Sequence, residues 1–117
     1  MLRRMLCWLL LLCSAVVAQT TEPQVVYLWP TGHPTLQGVN EKEITNPPDP
    51  KPGQFVRQFK NIHNPSLEFF PAPAAKNTGV GLIVAPGGGH REVNAGSEGY
   101  DLIEWLNGLG VNVIILK

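Results

Sequence analysis

The sequence predicts a small α/β domain in which antiparallel strands lead into a parallel β-α-β unit with an incomplete sheet. Two uninterrupted apolar runs, at residues 81–85 and 111–116, have the pattern of strands that are covered on both faces, as in parallel sheets. Residues 97–107 between them have the spacing of an amphipathic helix. With only 117 residues, the chain is at most one small domain.

The predicted helix carries one apolar stripe. Its members are Tyr100, Ile103 and Leu106, widened by Leu102, Trp105 and Leu109. We expect Ser97 to cap the start of the helix, and Glu98 and Asp101 suit the positive end of its dipole. Gly108 and Gly110 allow the left-handed turn that ends it.

The segments before this unit are richer in turns. Residues 24–29 form a short apolar stretch, which we interpret as an edge strand or an extended arm. Residues 55–62 and 66–70 predict two antiparallel strands joined through residues 61–65. The chain therefore divides into an extended segment rich in proline and glycine at 19–53 and a folded domain at 54–117.

The N-terminus has the layout of a secretory signal peptide. Arg3 and Arg4 precede an apolar run at residues 6–17, and Val16 and Ala18 are small enough for cleavage after Ala18. A membrane anchor is the alternative, but the run rises only roughly 18 Å as a helix, against a hydrocarbon core about 30 Å thick. We predict a signal peptide at residues 1–18, a secreted or periplasmic protein, and no membrane contact after cleavage.

Composition excludes several classes of partner and chemistry. Nine basic residues balance nine acidic ones, so the sequence predicts no nucleic-acid partner. Both cysteines, Cys7 and Cys13, lie in the signal segment, which leaves no disulfide or thiolate site in the mature chain. His33, His63 and His90 have no metal-like spacing, and we predict no metal and no cofactor.

Residues 86–90, Pro-Gly-Gly-Gly-His, follow the first apolar run and allow three interpretations. A nucleotide loop requires a third spaced glycine or a Gly-Lys-Ser/Thr ending, but Glu92 stands three residues after Gly89 and no lysine follows before Lys117. An ordinary turn favours glycine because of its backbone freedom, but three consecutive glycines are more than such a turn requires. An oxyanion hole requires unobstructed peptide N–H groups that stabilise negative charge on a carbonyl oxygen, and the sequence favours it.

Four blocks carry a family resemblance: residues 28–34 (Leu-Trp-Pro-Thr-Gly-His-Pro), 83–89, 98–101 and 105–111. Together they resemble secreted α/β-hydrolases of the acetyl-xylan and feruloyl esterase type. The resemblance implies the N-terminal part of an α/β-hydrolase fold and a carboxylic-ester hydrolase acting on an ester-bearing carbohydrate or a small ester.

The resemblance also implies roles for individual residues. By position, the peptide N–H groups of Gly88 and Gly89 are the oxyanion donors. His90 stands where the family often has an aromatic residue, and it is the candidate substrate-binding residue.

The catalytic triad that such an enzyme needs is missing from the sequence. The family's nucleophile is a serine on a strand-to-helix elbow, followed by an acid and then a histidine. Ser14 lies in the signal segment and Ser66 has no elbow around it. Ser97 lies in an elbow-like Ala-Gly-Ser-Glu-Gly, but no strand precedes it and no histidine follows His90. We expect a truncated chain without nucleophile, acid or histidine, inactive by itself.

A second function from another class also fits the composition. Tyr27, Trp29 and the Phe69-Phe70 pair are candidates for an aromatic platform. In that case the chain is a small secreted module that binds carbohydrate or protein without catalysis. The alternative role of these aromatic side chains is simply to cover the sheet.

Overall fold

The structure is a computed structural model that describes residues 23–37 and 40–117. The predicted signal peptide, its cleavage site and both cysteines lie outside the described residues. The described residues form six strands: β1 (Gln24–Tyr27), β2 (Ile44–Asn46), β3 (Gln58–Lys60), β4 (Ser66–Phe70), β5 (Gly81–Val84) and β6 (Asn112–Leu116). The same part of the chain also contains two short α-helices, α1 (Ala95–Glu98) and α2 (Ile103–Gly108), and two 3-10 turns, Pro34–Leu36 and Tyr100–Leu102.

Four of the strands form one mixed sheet in the order β1-β4-β6-β5. Strand β4 runs antiparallel to both β1 and β6, whereas β5 and β6 are parallel, with Ile83 beside Ile114. The helical segment, residues 95–108, consists of α1, the second 3-10 turn and α2. It lies between β5 and β6 in the chain, so the predicted parallel β-α-β unit is confirmed. The predicted edge strand at residues 24–29 is also confirmed, because β1 ends the sheet on one side.

The predicted pairing of residues 55–62 with residues 66–70 is wrong. Both strands form, but β3 pairs with β2 in a separate two-stranded sheet, and β4 lies between β1 and β6. The connection between them is bonded to distant backbone instead of closing a hairpin. Asn64 Nδ2 donates to the carbonyl of Trp29, and His63 Nε2 donates to the carbonyl of Glu41. These contacts draw the two strands into different sheets.

The predicted continuous helix at residues 97–107 is interrupted. Gly99, with φ −140° and ψ −79°, separates α1 from the 3-10 turn that leads into α2. Ser97 is not the cap, because α1 begins after Asn94 and Ser97 lies inside it. Gly110 has φ +81° and provides the predicted left-handed turn, whereas Gly108 is the last residue of α2.

The hydrophobic core lies between one face of the four-stranded sheet, the helical segment and β3. Its buried members are Phe59, Phe70, Ala95, Tyr100, Leu106, Val113 and Ile115. The predicted stripe is thus confirmed at Tyr100 and Leu106, but Trp105 and Leu109 are exposed. The Tyr100 hydroxyl donates to Glu68 Oε2 at 2.6 Å. Burial, reinforced by this bond, raises the pKa of Tyr100 far above its usual value.

The second face of the sheet is much less covered. Directly paired residues share a face, so the register aligns Val26, Leu67, Phe69, Ile83, Ile114 and Leu116 on it. None of the six is buried, and Val26 and Ile83 are 49% and 61% exposed. The expectation that both apolar runs are covered on both faces is therefore wrong for β5, which is an edge strand of the described sheet.

A buried amide fixes the start of β6. Asn112 Oδ1 accepts from the N–H of Ala72 and from Asn77 Nδ2, both at 3.0 Å. Its Nδ2 donates to Asn77 Oδ1 and to the carbonyl of Val80, both at 3.1 Å. This satisfied polar cluster joins β6 to the chain entering β5, because Val80 immediately precedes that strand.

Arg57 connects the two-stranded sheet to the helical segment. Its guanidinium forms two bonds with the Asp101 carboxylate, at 2.6 and 2.7 Å. Its carbonyl accepts from the N–H of Gly96 at 2.8 Å. A Cβ at Gly96 would overlap the Arg57 side chain, so glycine allows this close approach. Within residues 23–37 and 40–117, no helix is long and apolar enough to cross a membrane.

We expect the Arg57–Asp101 pair to give the fold a pH dependence on the acid side. The hydrogen bonds from Arg57 lower the pKa of Asp101 in the folded chain. A lowered folded pKa stabilises the protein above the unfolded value of about 3.9, and this contribution disappears as the pH falls through the folded value. Urea unfolding of the wild type and Arg57→Gln across this range measures the difference.

The stability difference between the two proteins should be constant at neutral pH and shrink as Asp101 becomes protonated. In Arg57→Gln, the NMR titration midpoint of the Asp101 carboxyl should move upward. An unchanged midpoint would contradict the assigned interaction.

Candidate functional site

The glycine loop, residues 86–90, begins where the parallel part of the sheet ends. It follows β5, the third strand of the four-stranded sheet in chain order, and leads toward α1. Strands β5 and β6 are parallel, so the loop lies beyond the carboxyl end of β5, near that of β6. Ligands of α/β sheets characteristically bind outside the carboxyl ends of the strands, which makes this loop the leading candidate site.

Two carbonyl contacts orient the amides of the glycine loop. The carbonyl of Gly87 accepts from the N–H of Asn94 at 2.8 Å, and that of Gly88 accepts from the N–H of Arg91 at 3.2 Å. A trans peptide is planar, so its N–H points opposite to its C=O. The N–H groups of Gly88 and Gly89 therefore point away from these internal contacts. Neither donates to any acceptor within the described part of the chain.

The glycines of the loop differ in how much room surrounds them. A Cβ at Gly88, where φ is +157°, would overlap the backbone carbonyl oxygen of Glu92. Gly89 has φ +62°, and no heavy atom lies within 4 Å of a Cβ built there. Gly88 is thus required by close packing of the backbone. Gly89 is exposed, and a side chain at this position would point into open space.

His90, the predicted substrate-binding residue, adopts an unusual backbone conformation. Its φ of +60° is left-handed, which costs a residue other than glycine about 1–2 kcal/mol. The exposed His90 lines a cavity of about 250 Å³ together with Lys60, Asn61 and Arg91. Apolar and polar side chains share the walls of this cavity, and His90 directly follows the last glycine of the loop.

A larger, mainly apolar cavity of about 440 Å³ adjoins the other end of the glycine loop. Its walls come from the ends of β5 and β6 and from three connecting segments: Leu28, Ile62, Pro65, Ala85, Pro86, Val93, Leu116 and Lys117. Pro86 is the residue directly before the first glycine. An apolar cavity beside a few polar backbone groups is the common form of a small-ligand site.

The serines present in the described residues form no catalytic pair. Ser66 is fully buried, its Oγ has no partner there, and both its backbone groups pair with Lys117. Ser97 is exposed on α1 and its side chain has no hydrogen bond with described residues. Of the histidines, His33 stacks on Trp29 at 4.7 Å, and His63 binds a backbone carbonyl. In the region that the structure covers, no three ligating side chains are grouped for a metal.

The aromatic residues proposed as a platform do not form one surface. Tyr27 lies opposite Ser66 in the β1–β4 register, whereas Phe69 lies opposite Gln24. Neighbouring residues of a strand point to opposite faces, so Tyr27 and Phe69 are on different sides of the sheet. Phe70 is only 9% exposed and belongs to the core. Tyr27, Phe69 and Phe70 therefore do not share one exposed aromatic platform.

Glu98 contributes to the site in a way that the sequence patterns did not predict. Its Oε2 accepts from the N–H of Gly87 at 2.6 Å, across eleven residues of chain. The sequence only indicated that an acid suits the positive end of the helix dipole. Local patterns contain no signal for a side chain that reaches back to a loop.

No model of a protein family matches this chain, and neither the curated proteins nor the solved structures searched contain a match to it. The class that the fold defines is a mixed α/β sheet of four strands with a helical connection. The likeness to α/β-hydrolases remains a prediction from the sequence motifs.

We expect alanine to be much less tolerated at Gly88 than at Gly89. Gly89→Ala meets no atoms, so only its left-handed backbone opposes it, at a cost of about 1 kcal/mol. Gly88→Ala should cost more, because its Cβ collides with backbone that cannot swing aside. Urea unfolding measures both. Gly53→Ala, with φ +77° and open surroundings, is the matched control. Equal costs for all three variants would contradict the packing of Gly88.

Proposed function

We propose that this chain provides the oxyanion-binding loop of a secreted serine esterase of α/β-hydrolase type. The substrate is an ester-bearing carbohydrate or a similar small carboxylic ester. The observation that carries the proposal is the pair of free peptide N–H groups at Gly88 and Gly89, held at the end of a parallel strand.

The chemistry of ester hydrolysis explains why such amides matter. When a hydroxyl attacks the ester carbonyl carbon, negative charge develops on the carbonyl oxygen. Donors already oriented toward that oxygen stabilise the charge without reorganising. Each such donor typically contributes about 2.7–4 kcal/mol of transition-state stabilisation. The carbonyl contacts to Asn94 and Arg91 support this role, because they hold both amides before any substrate binds.

The two cavities support a division of the substrate between them. The apolar cavity beside Pro86 suits the acyl group, and its volume of about 440 Å³ accommodates a short or medium chain. The cavity beside His90 also contains Lys60 and Asn61, whose side chains can form hydrogen bonds with the hydroxyl groups of the alcohol part. In this proposal the reacting carbonyl lies between them, at Gly88 and Gly89.

The nucleophile in this proposal comes from outside residues 1–117. A serine activated by a histidine attacks the acyl carbon and forms an acyl-enzyme, which water then hydrolyses. Ser66 is inaccessible, and Ser97 has no histidine bonded to it in the described structure. The test for this chain therefore measures ligand binding at the loop, which requires no catalytic turnover.

We expect butyrate to bind at the glycine loop. Its carboxylate resembles the oxyanion, and its alkyl tail fits the apolar cavity. In ¹⁵N-labelled chain, titration with sodium butyrate should move the Gly88 and Gly89 amide protons downfield. Sodium chloride at equal ionic strength and neutral 1-butanol should not move them. Gly32 and Gly53, exposed turn glycines whose amides also donate to no described residue, serve as internal controls. Equal shifts at all four glycines, or none, would overturn the proposed oxyanion role.

A further inference from the structure

Glu98 is bonded to the residue that opens the glycine loop. The distance from Glu98 Oε2 to the Gly87 nitrogen is 2.6 Å, a short hydrogen bond to a charged acceptor. A Cβ at Gly87 would lie only 3.0 Å from the same oxygen. Glycine at position 87 thus provides the space that the carboxylate occupies.

With this bond, the peptide groups on both sides of Gly87 are each held by a hydrogen bond. The N–H of Gly87 belongs to the peptide with Pro86, and its C=O belongs to the peptide with Gly88. Glu98 holds the first peptide and the N–H of Asn94 holds the second. The two soft dihedrals of Gly87 are therefore fixed at both ends. Without the carboxylate, the first peptide has no hydrogen bond to the described residues, and the second keeps its bond to Asn94.

We propose that Glu98 is a positioning residue that keeps the Gly88 and Gly89 amides directed at the reacting carbonyl oxygen. The inference rests on the proposed function and adds a residue that is not part of the oxyanion hole itself. Glu98 is exposed at the end of α1, and its carboxylate has no other partner among the described side chains and backbone groups. Its loss should therefore change the loop much more than the stability of the fold.

Two substitutions at Glu98 separate the effect of its hydrogen bond from the effect of its charge. A carboxylate near an oxyanion repels it, so charge alone would make Glu98 unfavourable for an esterase. Glu98→Gln removes the charge but keeps an oxygen that accepts from the N–H of Gly87. Glu98→Ala removes both. A difference between these two neutral variants measures the hydrogen bond alone.

The experiment compares butyrate binding and amide hydrogen exchange in the full chain. Glu98→Gln should bind butyrate at least as tightly as the wild type. Glu98→Ala should bind about fivefold more weakly than Glu98→Gln, the size expected for losing one hydrogen bond. Amide exchange at Gly87, Gly88 and Gly89 should be faster in Glu98→Ala than in Glu98→Gln. Glu104→Ala, which removes an exposed carboxylate on α2, is the control for charge and should resemble the wild type.

The outcomes distinguish failure of this inference from failure of the proposed function. If the wild type binds butyrate at the loop but the two Glu98 variants bind it equally, Glu98 does not position the amides. If the wild type does not bind butyrate, the oxyanion role fails. In that case, amide exchange alone tests whether Glu98 holds the loop. Faster exchange in Glu98→Ala than in Glu98→Gln supports this restraint, and equal exchange in the two variants contradicts it. Equal urea unfolding of both variants excludes a general loss of fold.

Discussion

The parallel pairing of β5 with β6 is the contact on which the position of the glycine loop depends. Strand β5 has no other partner in the described sheet, so this ladder sets where the loop that follows it begins. Strand β6 can provide that precision because Val113 and Ile115 are fully buried. The Asn112 cluster fixes where the ladder begins, since a one-residue shift would leave buried amide groups without partners.

The sequence contained enough information for the parallel unit and its loop. Two apolar runs with a helical pattern between them are local signals, and they correctly predicted β5, β6 and the buried positions Tyr100 and Leu106. The glycine run could also be placed after a strand from its position alone. What makes its amides a candidate site, the carbonyl contacts to Asn94 and Arg91, became visible only in three dimensions.

The incorrect predictions involve contacts between distant parts of the chain. The hairpin failed because Asn64 bonds to the backbone of Trp29, 35 residues away, and no local pattern encodes that pairing. The helix was predicted as continuous because its apolar stripe continues through Gly99. That glycine is required by packing: a Cβ there would lie 2.6 Å from the carbonyl oxygen of Ala95 and 3.4 Å from Ile115. Glu98 was missed for a similar reason, because its partner lies eleven residues earlier.

The lightly covered second face of the sheet has a consequence for how the protein behaves in solution. Val26 and Ile83 present apolar surface to water, and β5 adds an outer edge with backbone groups that other strands can pair with. Attraction between such surfaces is entropic near room temperature and weakens on cooling. Concentrated samples should therefore stay dispersed in the cold and associate as they are warmed, well before the core around Val113 and Ile115 melts.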